Sequence, residues 1–257
     1  MTIKEMHELF RVLGQQMGMQ KVRGILPESI DILLNTSIVH CVRQIITSNV
    51  TTNFGNIVAT QRNKISVINA LRTLYIEDIQ ELEYNDEEIP YPIEASLFYG
   101  FKIFSIINCD VAYDEEEPYK YISTRLIEPN LIAEVERDYL LKPTPKFPVA
   151  TIVETDDDYT SETTGENNTS TSITGTLIKY NFYTDDTKVT KVKSSFLKYP
   201  VKVHYSDDAE QCVDCDLPIH LHHMVVEEAV RLYFQSVNLT SGSSNDESQQ
   251  NNKNNRQ

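Results

Sequence analysis

Apolar residues in the first fifty positions recur at intervals of three and four. Met6, Leu9, Phe10, Leu13 and Met17 fall on one face of a helix within IKEMHELFRVLGQQMG, and Gly14 and Gly18 weaken its end. Pro27 suits a first helical position. Ile30, Leu33, Leu34, Ile38, Cys41, Val42 and Ile45 carry a second stripe to about Ile46, with Cys41 read as a small core residue. TSNVTTNFGN breaks the pattern. QRNKISVINALRTLYIEDIQELE then predicts a third helix on Ile65, Ile68, Leu71, Leu74 and Tyr75. Isolated helices of this length are marginal, so residues 1–90 form a helical region that needs partners.

The period changes after residue 90. LFYGFKIFSIINCDVAY is an apolar run whose aromatic and β-branched content predicts strand, DEEE (Asp114 to Glu117) a solvated loop tip, and EPNLIAEVERDYLL a short helix ended by KPTPKFP. Residues 91–148 are therefore a mixed connecting region. An antiparallel β region follows over 149–205. VATIVE leads into a polar stretch, 154–176, that cannot form a core and reads as a long hairpin tip. TLIKYNFY alternates, with Ile178, Tyr180 and Phe182 on one side. KVTKVK follows a turn at Asp185-Asp186, and FLKYPVKVHY sets Val201, Val203 and Tyr205 opposite Lys202 and His204.

A corner and a helix occupy 206–237. Leu217, Leu221, Val225, Ala229, Leu232 and Tyr233 make a continuous stripe, and Asp216 stands before the Leu-Pro start as a carboxylate for orphan N–H groups. Residues 238–257 are polar, low in complexity and expected to be disordered. The predicted class is α+β: a helical bundle domain, a small antiparallel β domain and a long C-terminal packing helix.

Composition narrows the function. A chain of 257 residues can bury a substantial core, and its four cysteines are too few for a disulfide scaffold. No run of 18 apolar residues predicts a membrane span, and the first residues lack signal-peptide order, so an intracellular product is expected. The formal charge of −15 disfavours binding to phosphate, although DNA could slide past such a surface without sticking.

One stretch tempts a chemical reading. In CVDCDLPIHLHH, Cys212 and Cys215 have C-x-x-C spacing, and His220 and His223 share a helix face while His222 points elsewhere. Zinc fingers pair such cysteines with histidines spaced more widely. The surrounding aspartates attract a cation but disfavour thiolates. The preferred reading is a corner that turns the backbone into a packing helix, with no metal or cofactor. A zinc-stabilised interaction module on Cys212, Cys215, His220 and His223 is the alternative. Walker, G-x-G-x-x-G and G-x-S-x-G patterns are missing, and no catalytic residue is assigned. His7, His40 and His204 each stand singly on predicted elements, where packing or surface roles are the default.

The order of segments resembles a family. MTIKEMHELF, ESIDILLNTSIVHCVRQI and QRNKISVINALRTL open the chain in that order. Later come STRLIEPNLIAEVERDYLLKPTPKFPVATI and a YPVKV strand before a corner carrying Cys215, Leu217, Pro218, His220 and His222. Together they resemble the head-to-tail ring (neck or adaptor) proteins of tailed bacteriophages, particularly crAss-like phages. The resemblance covers most of residues 1–237 and rests on order rather than on one motif; Cys212 departs from it. It implies a non-enzymatic virion protein made in the host bacterial cytoplasm. Identical subunits would form a ring, twelve-fold like the portal, between capsid and tail. Portal and further neck or tail rings would be its partners, and packaged DNA would pass the lumen without specific binding. A tail-fibre or receptor-binding component is a further alternative, ranked low because fibres rarely begin with this much helix.

Overall fold

The fold is that of a computed structural model, which describes residues 1–17, 24–51, 65–82, 91–114, 118–164, 170–185 and 187–254. Of 48–51, 162–164, 170–171, 209 and 238–254 it describes the backbone alone. The chain is mixed α+β, with five helices and two antiparallel-rich sheets among the described residues. It divides into two compact units: Met1–Thr73 with Pro200–Gln257, and Leu74–Tyr199. The first unit is therefore built from both ends of the chain.

In that first unit, α1 (Ile3–Gln16) opens on a reciprocal cap. Glu5 N donates to Thr2 Oγ1 at 3.3 Å and Thr2 N to Glu5 Oε2 at 2.9 Å. Asp214, far along the chain, accepts the next free donor, Ile3 N, at 2.7 Å. The buried face is Ile3, Met6, His7, Phe10 and Gly14, rotated about a sixth of a turn from the predicted stripe toward His7, which has a partner inside. Helix α2 (Pro27–Thr51) buries Ile30, Leu34, Ile38, Cys41 and Val42, as its spacing predicts. The described part of α3 covers 65–70, and Val67 and Leu71 are buried. Helix α5 starts at Ile219, and its backbone stays helical to Asn254. Its packing face, Leu221, Val225, Val226, Ala229 and Val230, lies against α1 and α2. The tail expected to be disordered is thus helical backbone, despite the low helix propensity of its Ser, Asn and Gly residues.

Among the described residues the second unit holds eight strands: β1 (Tyr75–Glu81), β2 (Ile93–Tyr99), β3 (Ile103–Ala112), β4 (Ile122–Ser123), β5 (Arg125–Ile127), β6 (Val149–Thr164), β7 (Ser170–Tyr183) and β8 (Lys191–Lys198). Helix α4 (Ile132–Arg137) stands between β5 and β6. One sheet runs β1-β8-β3-β4, the other β2-β7-β6-β5. All pairings are antiparallel except β5 with β6. Both sheets contribute to one apolar core that contains Tyr99, Cys109, Ile178, Tyr180, Phe182 and Phe196. Each fully buried side chain of this kind is worth about 1.5–3 kcal/mol in transfer terms.

Three expectations change. The predicted third helix gives way to strand β1 from Tyr75, because antiparallel pairing of Tyr75–Glu81 with Leu197–Lys191 at the edge of its sheet takes one side of its backbone groups and sets it on β8. With it the β region grows from a small domain after 149 to a unit that starts at Leu74. The polar stretch 154–176 is mostly strand: β6 and β7 pair from Val149↔Tyr183 to Thr164↔Ser170, so cross-strand bonds rather than a core hold it. Finally, FLKYPVKVHY is strand only to Lys198. Pro200 lacks a ladder donor, and residues after it belong to the first unit. The DEEE tip at 115–117 lies outside the described residues.

Candidate functional site

Within the first unit, three side chains replace a neighbouring strand. Along 201–205, where His204 forms an antiparallel bridge with Val213, every second N–H is taken by a side chain. Val201 N donates to Asp216 Oδ2 at 3.2 Å, Val203 N to Asn35 Oδ1 at 2.8 Å and Tyr205 N to Asp31 Oδ2 at 3.0 Å. Asn35 closes a second bond, donating from Nδ2 to Val203 O at 3.0 Å. Asp31 and Asn35 are one helical turn apart on α2, beside its apolar stripe.

Asp31 is the hub. It is 5% exposed, and its Oδ1 accepts His7 Nε2 at 2.7 Å while His204 Nδ1 lies 3.2 Å from Oδ2. Tyr205 stacks on His7 with ring centres 4.9 Å apart. Burial draws the His7 pKa below its ordinary 6.5, against the opposing pull of Asp31. His7 Nδ1 is buried without a hydrogen-bond partner among the described residues, which suits a neutral ring donating through Nε2. The cluster ties α1, α2 and the return segment together. Its histidines are engaged on a carboxylate rather than aimed at a nucleophile.

The Cys/His corner does not converge. Cys212 Sγ donates to Ser206 O at 3.2 Å and accepts Ser206 N at 3.4 Å. Cys215 is buried, and its thiol is pushed up to about 11, chiefly by burial, away from the thiolate zinc needs. His220 is exposed, His223 sits 3.3 Å from Glu227, and buried His222 places Nε2 2.8 Å from Leu217 O. Among the described residues no group of three or more His, Cys, Asp or Glu side chains is arranged to hold a metal ion. Cys41 and Cys109 are buried, with pKa values pushed up to about 11 and about 12, which suits core packing. His40 pairs with Glu228 at 2.9 Å, and Arg231 holds that carboxyl below its usual range.

Two surfaces of the second unit stand out instead. The loop 138–148 presents Tyr139, Leu140 and Phe147 at 94, 87 and 76% exposure. It is nevertheless tightly bonded: Leu140 N donates to Asp138 Oδ1 at 2.9 Å, Arg125 to Leu141 O at 2.9 Å, and Thr144 and Phe147 bridge at 2.9 and 3.3 Å. The second surface is the outer part of the β6–β7 hairpin. β5 covers β6 only at Val149–Thr151, and β2 covers β7 only as far as Thr176. Beyond those points the strands form a two-stranded ribbon, exposed from Val153 to Thr160. Sequence spacing shows neither the Asp31 hub nor the exposed loop as sites. The available signal was a polar i, i+4 pair, Asp31 and Asn35, beside an apolar stripe.

No protein-family model matches the chain, and no curated protein matches it in sequence. No helix among the described residues is long and apolar enough to cross a membrane.

Proposed function

We propose that this protein is a structural subunit of a phage virion, forming a ring in the neck that joins the portal and capsid to the tail around the DNA channel. The ring is twelve-fold, matching the portal, and the chain is not an enzyme. The carrying observation is the β6–β7 ribbon, which runs past its own sheet with neither outer edge in a strand pairing among the described residues. Two-stranded ribbons are marginal in water alone, so such an arm suits a subunit whose neighbours supply the missing contacts. In this reading the helical unit acts as a bundle closed by the long C-terminal helix, a rigid body suited to docking on portal or tail. The formal charge of −15 suits a lumen that DNA crosses without adhesion.

Immunogold labelling and cryo-EM of particles from the phage that encodes the chain test this reading. Label and ring density at the neck are expected. Particles that lack the chain, or carry it only on distal fibres, would overturn it.

A further inference from the structure

We infer that the loop 138–148 of one copy docks on the β6–β7 ribbon of the next, which makes the contact between subunits head-to-tail. The inference deepens the ring reading above and names the surfaces that would build it.

Apolar side chains as exposed as Tyr139, Leu140 and Phe147 mark an interaction site when they cluster on one ordered loop. The bonds from Asp138, Arg125 and Thr144 fix that loop before any partner arrives, so little ordering entropy is lost on docking. Tyr and Phe in such a position are the anchors that dominate binding. Residues 138–148 carry two lysines, Lys142 and Lys146, against one carboxylate, Asp138, which accepts Leu140 N. Lys142 lies 3.9 Å from Asp185, a long and exposed pairing that leaves it available.

The ribbon is the complement. Residues 153–161 carry Glu154, Asp156, Asp157 and Asp158 and no basic residue. Lys179 and Lys102 sit 2.5 Å from Glu154 and Asp158, so the stretch keeps a net negative charge. Its apolar positions, Val153, Tyr159 and Ile173, are 57, 39 and 43% exposed. A basic-flanked apolar loop thus meets an acidic apolar ribbon, which fits register and partner choice together.

Geometry forbids the two from meeting within one chain. The loop ends where β6 begins, at Val149, and the acidic stretch centres near Asp157 on the same strand. At about 3.3 Å per residue the separation is roughly 25 Å. Unlike surfaces at separate points along one strand make a heterologous contact between copies, and such contacts close into a ring when the rotation closes.

Sedimentation velocity on the full chain over a concentration series tests the contact. The wild type should self-associate. A Tyr139→Ser/Leu140→Ser/Phe147→Ser variant and an Asp156→Lys/Asp157→Lys variant should each associate about a hundredfold more weakly or worse. Mixed, the two should form a one-to-one heterodimer and nothing larger, since each keeps one good surface; that heterodimer also shows both variants are folded. A wild type that stays monomeric, a variant that associates like wild type, or a mixture without heterodimer would overturn the inference. Particle labelling decides the ring reading separately, so either can fail while the other stands.

Discussion

The two units solve the same stability problem with different bonds. The β unit is continuous in sequence and closes on an apolar core shared by both sheets, with Phe196 edge-on to Tyr99 at 4.4 Å. The helical unit is assembled from the two ends of the chain. Its helices bury apolar faces, but the returning segment is fixed by side chains that act on backbone: Asp216, Asn35 and Asp31 on Val201, Val203 and Tyr205. The contrast teaches where each unit is vulnerable. A sandwich core fails through lost volume, whereas a polar junction fails through one stranded charge or donor.

The largest effect should therefore come from the β core. Phe196→Ala removes a fully buried ring and should cost about 4 kcal/mol, read as faster amide exchange throughout the strands of both sheets and a lower urea midpoint. Unchanged exchange in β3 and β8 would contradict a shared core.

Asp31→Ala should follow at about 3 kcal/mol, because it strands His7 Nε2 and Tyr205 N inside the helical unit. Amide exchange at Tyr205 and along α1 is the readout. Asn35→Ala removes two bonds to Val203 but no charge and should cost less, about 1–2 kcal/mol. If Asn35 proved the costlier, the junction would be held by backbone pairing rather than by the Asp31 hub.

Gly175 sharpens the comparison at the root of the ribbon, where β7 passes the end of β2. A Cβ there would lie 1.9 Å from Tyr99 O and 2.9 Å from Tyr99 C. Backbone cannot yield like a side chain, so Gly175→Ala should cost about 2 kcal/mol, seen as a lower urea midpoint and faster exchange at Tyr99 and Thr176. The adjoining Thr176 Oγ1 accepts Ile103 N at 3.1 Å, so a shift here disturbs both sheets' entry into the arm.

Legibility in the sequence follows the same divide. The stripes of α2 and α5 and the alternation at Ile178, Tyr180 and Phe182 were readable, because local period fixes which face is buried. YIEDIQE was not: Ile76 and Ile79, three apart, share a helix face but fall on opposite faces of a strand, and Ile79 is exposed, so only the partner β8, more than a hundred positions away, decides. The hairpin at 154–176 is legible in the sequence, but its extent as paired strand is not, because its residues pair without burial and hydrophobic patterning reports burial. The C-x-x-C and histidine spacing marks the corner, whereas the polar centre is Asp31, a single acid beside the apolar stripe of α2. Its partners, His204 and Tyr205, come from the far end of the chain.

The smallest effect is a pH dependence confined to the helical unit. His7 is held below its unfolded value of 6.5 by burial, while Asp31 and the stacked Tyr205 face it and Arg11 stands nearby on α1. Near neutral pH and above, both states are uncharged at His7 and its contribution is complete. As pH falls through about 6.5 the unfolded chain takes up a proton that the folded one refuses, so stability declines. The slope cannot exceed about 1.4 kcal/mol per pH unit for one proton. Denaturation from about pH 8 to about pH 6, in a His204→Gln background so that one imidazole on Asp31 is followed, should show this decline. His7→Gln should flatten it while lowering stability at the alkaline end, because Gln can keep the bond to Asp31 but not the stack on Tyr205. A slope of the opposite sign would mean that Asp31 holds His7 as an imidazolium, and that the junction is an ion pair rather than a neutral hydrogen bond.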